Sequence, residues 1–272
     1  MSTLSSPGRL FYALAVTLIG MQFVIYSDFN SLLFPLQPLL AGKNIILRSF
    51  GVLIVLCGLA MGLEKFAEQA SVAIAGLFTL IFLLVHVPAI YAHPRDEEVW
   101  MHAGELVAIA MGAIMFVVNF RINKLKVKPS PTSLKLGHWS LAIFGFTLLL
   151  FGIEHFVYTD YIASLLPAWI LLSNFVTYLV GALFILIALS FISRRRIQLS
   201  ASLFAVMFIV IILVVHAPRL ILNPHIHNEW TGGFIALAMC GIGLMIGGIT
   251  PDQEDDSPKH FLDIDEKHFH IS

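Results

Sequence analysis

The stretch Gly20-Met-Gln-Phe-Val-Ile-Tyr26-Ser-Asp28-Phe29, with Pro35 six residues on, recurs as Gly152-Ile-Glu154-His155-Phe-Val-Tyr158-Thr-Asp160-Tyr161, with Pro167 six residues on. The two copies lie 132 residues apart. A second phrase follows in each half at an offset of 130: Leu84-Val85-His86-Val87-Pro88 against Val214-Val215-His216-Ala217-Pro218. Pro94 then matches Pro224, and Trp100 matches Trp230. Self-similarity at a fixed spacing marks a chain built twice on one plan, so any site is sought in both halves.

Working outward, the chain of 272 residues is 58% hydrophobic and 12% charged. A soluble domain carries roughly a quarter charged residues, so lipid is the expected solvent. A helix spans the bilayer core with about 20 apolar residues. Eight runs qualify: Leu10–Tyr26, Asn44–Leu63, Ala70–Tyr91, Val99–Phe120, Trp139–Tyr158, Trp169–Ile192, Leu199–Leu222 and Trp230–Ile249. Pro35 and Pro167 are expected to start the helices that follow them, where proline is tolerated. The expected fold is an all-α integral membrane protein of eight transmembrane helices. With four spans per half, both halves enter the membrane in the same sense, as two parallel four-helix repeats.

The repeats are placed at residues 1–120 and 138–250, with a basic linker at 121–137 and an acidic, His-bearing tail at 251–272, expected to be poorly ordered. No small-residue cleavage site follows the first run, so that run is read as an anchor. Arg9, Lys65, Arg121, Lys124, Lys126, Lys128, Lys135 and Arg194 to Arg196 fall in loops on one side, against Lys43, Arg48, Arg95 and Arg219 on the other. The positive-inside rule places both termini in the cytoplasm of a bacterial inner or plasma membrane. A net charge of −1 gives no attraction to nucleic acid. Cys57 and Cys240 sit in apolar runs and are read as packing residues.

This topology gathers ionisable residues beneath the extracytoplasmic face. A charge near the bilayer centre costs at least about 2.5–3.5 kcal/mol, so these groups should face the bundle or a wet cavity. Glu154 and His155 lie just before the end of the fifth span; adjacent on a helix, they point about 100° apart. The first half carries Gln22 and Phe23 there, and has Glu98, His102 and Glu105 on one face of its fourth span. The matching residues of the second half are Asn228, Gly232 and Ile235, which implies two diverged half-sites or one shared site. His86 and His216 precede their prolines by two residues. Each is read as hydrogen-bonded to a carbonyl freed by the proline or to a carboxylate, as a contact to a quinone oxygen or substrate, or as a metal or haem ligand. His225-x-His227-x-Glu229 is read as a solvated loop, with metal capture as the lesser alternative.

Gly152-x-Glu154-His155-Phe, followed by Ser164-Leu-Leu-Pro167-Ala-Trp169, Gly181 and His216-x-Pro218, resembles the DoxX-like family of small membrane proteins. The likeness covers about residues 137 to 249; residues 10 to 120 resemble a diverged copy keeping Gly20, Pro35, Gly51 and His86-x-Pro88. It implies a four-helix bundle per unit. It also brings in relatives described as the small subunit of a thiosulfate:quinone oxidoreductase, members of redox or oxidative-stress complexes, and remote cargo-receptor relatives.

The expectation that follows is a redox-associated subunit, with partner proteins in or outside the membrane, whose cavity binds a quinone or small apolar ligand. Glu154 and His155 would relay protons, with His86, His216, His102 and Glu105 contacting the ligand. A non-enzymatic scaffold and a small-molecule transporter are the alternatives. No phosphate loop, nucleophile elbow or dinucleotide fingerprint occurs.

Overall fold

Each of the eight apolar runs becomes a helix long and apolar enough to cross a membrane in the computed structural model, which describes residues 5–26, 33–35, 43–128 and 130–249. These are α1 (Ser5–Ile25), α2 (Asn44–Gly62), α3 (Ala67–Ala92), α4 (Glu97–Lys124), α5 (Pro131–Val157), α6 (Ser173–Ser193), α7 (Ile197–Leu222) and α8 (His227–Gly247). No strand occurs among the described residues. Leu56, Leu84, Phe146, Phe175, Leu186 and Leu213 point outward, each more than half exposed. Water would not tolerate so continuous an apolar exterior, whereas hydrocarbon does, because every helix satisfies its own backbone. The chain is a multi-pass membrane protein.

The helices close into a ring. α1 packs on α2 and α8, α3 on α2 and α4, α5 on α4 and α6, and α7 on α6 and α8. α4 and α8 also touch across the middle, and α4 is the most buried of the eight.

Several boundaries differ from expectation. Pro167 does not start a helix. A short helix, Thr159–Ser164, comes first, and α6 begins only at Ser173, leaving Trp169 exposed in the connection. Proline restrains the residue before it to extended backbone, which keeps helix from passing through Leu166. Pro35 is likewise non-helical, and α2 begins at Asn44. The basic connection between the halves is shorter than its charge pattern implies: α4 runs on through a π turn at Phe120–Lys124, and α5 starts at Pro131. Ser130 caps α5, its hydroxyl accepting from Ser133 N–H at 3.2 Å, and proline takes the first helical position, where its missing N–H costs nothing. Asp28, Pro129 and the tail at 251–272 lie outside the described residues.

Local structures recur at the sequence offsets. π turns at Phe82–His86 and Ile212–His216 each end one residue before the helix segment that carries Pro88 or Pro218. Proline cannot donate to the carbonyl four residues back and clashes with it; widening the turn by one residue absorbs the clash. Trp100 and Trp230 donate Nε1–H to Pro94 O and Pro224 O at 3.0 and 3.1 Å. Glu64 and Phe66 hold left-handed backbone with φ of 56° and 54°, and Arg194 and Arg196 do so at 57° and 54°.

Several helix crossings are set by glycine, two of them at matched positions. A Cβ on Gly20 would come within 2.9 Å of Gly51 O, and one on Gly152 within 3.0 Å of Gly181 O. Without side chains α1 meets α2, and α5 meets α6, backbone to backbone. A Cβ on Gly181 would sit 2.7 Å from His155 Cβ. Gly181→Ala is therefore expected to push α6 off α5 at a cost of about 1–3 kcal/mol, read as a lower unfolding temperature in detergent. Gly76, whose added Cβ meets nothing within 4 Å, supplies the control: Gly76→Ala should leave stability unchanged or raised.

At the end of the bundle where α1 begins, Arg9 is buried. Its Nη1 donates to Asn119 Oδ1 at 2.8 Å and its Nη2 to Glu64 Oε1 at 3.1 Å; Asn119 Nδ2 donates on to Met245 O at 2.7 Å. Glu64 also pairs with Lys124. Helix α1 thus begins at Ser5, before the expected Leu10, and carries this cation inside the bundle.

Candidate functional site

A cavity of about 330 Å³ lies at the opposite end of the bundle. Its inner wall is shared by the two central helices, which contribute the same four places: Glu98, Met101, His102 and Glu105 from α4, and Asn228, Thr231, Gly232 and Ile235 from α8. From there it extends towards the second half, past His155 on α5, Leu165 and Leu166, Thr177 and Val180 on α6, and His216 on α7. Leu33 closes it on the side of the first half.

The walls are largely apolar, and the polar groups in them are few and specific. His102 donates Nδ1–H to Glu105 Oε2 at 2.7 Å, one helical turn along α4, with side chains only 13% and 17% exposed. Its Nε2 is buried and has no hydrogen-bond partner among the described residues. With Nδ1–H given to the carboxylate, Nε2 accepts a hydrogen bond in the neutral imidazole and donates one in the imidazolium. His216 Nδ1 and Asn228 Oδ1 are also buried without partners among the described residues. The His216 ring lies against Gly232, where an added Cβ would stand 3.1 Å from its Cε1. Glycine at 232, in the place His102 holds in the first half, makes room for that imidazole.

His155 is oriented by its own helix. Its Nδ1 donates to Phe151 O at 2.7 Å and the ring lies 5.3 Å from Phe184, which leaves Nε2 as the face turned elsewhere. Glu154, next to it, is buried but does not line the cavity. It lies within electrostatic reach of Glu105 and His102, and its Oε1 has no partner among the described residues. Adjacent helical residues diverge by about 100°, and here one meets α6 while the other meets α4.

At the rim, Tyr161 donates to Glu98 Oε1 at 3.0 Å, and burial together with that bond pushes its hydroxyl up to about 12. Arg219 donates to Glu229 Oε1 at 2.6 Å. Glu98, Asn228 and Glu229 were noted in the sequence without being assigned to the ligand site, whereas Tyr161, Thr231 and Arg219 were not singled out for it at all. A signal existed, since Arg219 and Glu229 stand where the first half has Ala89 and Val99.

Of the expected site residues, His102, Glu105, His155 and His216 share one cavity and Glu154 adjoins it. His86 does not join them. Its Nε2 donates to Leu33 O at 3.0 Å, a carbonyl in the connection after α1 and not the one freed by Pro88. Glu154's counterpart is fully engaged: Gln22 donates to His227 O at 2.9 Å and accepts from Thr231 at 3.0 Å, fastening α1 to α8. The His225, His227, Glu229 triplet does not converge, because His227 stacks on Tyr26 at 3.7 Å and Glu229 turns to Arg219. Among the described residues no three His, Cys, Asp or Glu side chains group closely enough to hold a metal ion. Cys57 and Cys240 are buried free thiols.

Fold and site together define an eight-span membrane protein with a partly open, mostly apolar cavity lined by two histidines whose buried ring nitrogens have no partner among the described residues. Comparison with protein-family models, curated proteins and solved structures yields no match to this chain.

Proposed function

We propose that the cavity binds a quinone head, or another small apolar molecule bearing carbonyl oxygens, and that the protein serves as a redox-associated membrane subunit. The observation that carries this reading is that His102 and His216, whose buried Nε2 and Nδ1 have no partner among the described residues, line one largely apolar chamber. Buried polar atoms normally have partners, and two on residues lining one cavity point to a ligand that supplies them. At about 330 Å³ the chamber sits at the small end of ligand pockets, roughly 300–1,000 Å³. The DoxX-like phrases of the second half agree with it.

A quinone takes up two electrons and two protons on becoming a quinol, the electrons here coming from a redox partner protein. His102, held by Glu105, donates to one oxygen from Nε2 when charged, and passes that proton when the oxygen becomes basic. His216 contacts the second oxygen through Nδ1. Glu154, behind the His102–Glu105 pair, and His155, on the cavity wall, restore protons to them. His86 shapes the wall through Leu33.

In this reading the chain is two parallel four-helix repeats, residues 1–120 and 138–250, joined at 121–137. The matched π turns, indole bonds and left-handed turns support that arrangement. Both termini face the cytoplasm, which puts the cavity under the extracytoplasmic leaflet.

The test is lipid extraction from protein purified in mild detergent, followed by titration with decylubiquinone. Expected are co-purifying quinone and saturable binding, weakened roughly three- to tenfold by His216→Leu, the range of one lost hydrogen bond. Absence of quinone in both experiments overturns the reading. Unimpaired partner capture by the Glu154→Gln/His155→Asn variant alongside lost redox turnover separates it from a scaffold.

A further inference from the structure

The cavity is off-centre although its inner wall is not. α4 and α8 contribute matching positions, yet nearly all of the remaining wall comes from the second half. The positions matching three of those wall residues explain why. His155, Leu166 and Val180 correspond to Phe23, Phe34 and Phe50. The three phenylalanines form one cluster, with ring centroids 5.7 Å apart for Phe23 and Phe34, 5.3 Å for Phe23 and Phe50, and 5.6 Å for Phe34 and Phe50. Phe23 and Phe34 are 1% exposed, and Phe34 also packs on Phe78 at 5.1 Å. The registry is secured independently by the paired crossings of Gly20 with Gly51 and of Gly152 with Gly181.

The second half has not simply lost this bulk. It carries Phe184 and Phe204 where the first half has Ile54 and Ile74. Phe184 lies four residues beyond Val180, so it sits one turn deeper along α6. There Phe184, Phe204 and Phe208 pack together, with centroids 6.4, 6.1 and 4.7 Å apart. Interiors are close-packed, so aromatic volume fills either the outer layer or the deeper one. In the first half it fills the outer layer; in the second it fills the deeper layer and leaves the outer one open.

We infer that the first half carries a closed counterpart of the cavity, plugged by Phe23, Phe34 and Phe50, so that the chain holds one ligand site whose position these places decide. The inference deepens the ligand-binding reading and rests on it for the identity of the occupant, but not for the plug itself.

Thiol access tests the plug without a quinone. Thr177 lines the cavity although its own surface is only 2% exposed, and its counterpart Leu47, one turn before Phe50 on α2, is 1% exposed. In Thr177→Cys protein made on a Cys57→Ala/Cys240→Ala background, which removes the 8% exposed Cys57 from the readout, a small methanethiosulfonate reagent entering through the cavity is expected to react with the new thiol. Adding Leu166→Phe and Val180→Phe should slow it about tenfold or more, because labelling then requires local opening. In Leu47→Cys protein on the same background, adding Phe34→Leu and Phe50→Val should speed reaction by a similar factor, and this arm decides if the overpacked variant does not fold. Unchanged labelling in the opened first half of a folded protein overturns the plug. Decylubiquinone titration separates the two ideas. One quinone per wild-type chain, lost in Leu166→Phe/Val180→Phe, supports both; thiol rates that move as stated with no quinone bound overturn the occupant alone.

Discussion

Replacing His102 by alanine is expected to destabilise the protein by about 3 kcal/mol and to abolish quinone binding. The loss follows from what is left behind. Glu105 would keep a carboxylate in a chamber where it is 17% exposed and where, among the described residues, the imidazole is its only hydrogen-bond partner. Breaking one side of a buried pair costs about 3–5 kcal/mol, and residual access to the cavity puts this case at the low end. Removing both partners should cost less than removing one. His102→Ala/Glu105→Ala is therefore expected to regain most of the lost stability while still failing to bind, because Nε2 is gone in both variants. Denaturant unfolding in mild detergent, run beside decylubiquinone titration, reads the two effects separately. A double variant as unstable as the single one would show that the pair is held by packing. Binding retained in either would remove His102 from the site.

The eight spans were legible because composition alone forbids water as the solvent and because each run is long enough to cross. The matched His86 and His216 phrases carry matching π turns, and the matched Trp100 and Trp230 make matching indole bonds, though the sequence specified neither feature. Sequence could not tell which of two matched histidines faces a cavity. His86 and His216 share a phrase and a π turn, yet one donates to Leu33 O and the other opens on a chamber, and the difference is made by residues far from either. Glycine at 232 and leucine at 166 matter for the space they leave, and absent volume has no motif. Helix ends near Pro167 and Pro131 were misplaced for a related reason: a proline's position in a helix depends on which carbonyl is free behind it. Ring closure was not legible either. Nothing in the pattern of a span says that α1 packs on α8, yet that contact, fastened by Gln22, brings the two central helices into register and so positions the cavity wall.

Replacing Arg9 by methionine is expected to cost about 3 kcal/mol at neutral pH, from the opposite end of the bundle. Methionine keeps the length and apolar stem but leaves Asn119 Oδ1 without its donor and removes the one cation that joins α1 to the turn between α2 and α3. The guanidinium also lies 5.9 Å from the Phe120 ring, so some attraction to its face is lost as well. Lysine in its place should recover only part, since a single ammonium cannot reach Asn119 and Glu64 with the fork that arginine presents. Burial pushes the Glu64 carboxyl up, but hydrogen bonds and charge from Lys124 and Arg9 outweigh it and hold the carboxyl below the ordinary carboxylate range. A carboxyl depressed in the folded state adds stability above its unfolded value, and that stability is lost as pH falls through the folded one. The gap between wild type and Arg9→Met should therefore be widest at pH 7, narrow as pH falls through and below the ordinary carboxylate range, and be smallest once Glu64 is protonated in both. Unfolding temperatures in detergent across that range measure it. A gap independent of pH would assign the loss to Asn119 and Phe120 and not to the ion pair. A variant as stable as wild type would mean that α1 is held by its glycine crossings and by Gln22 alone.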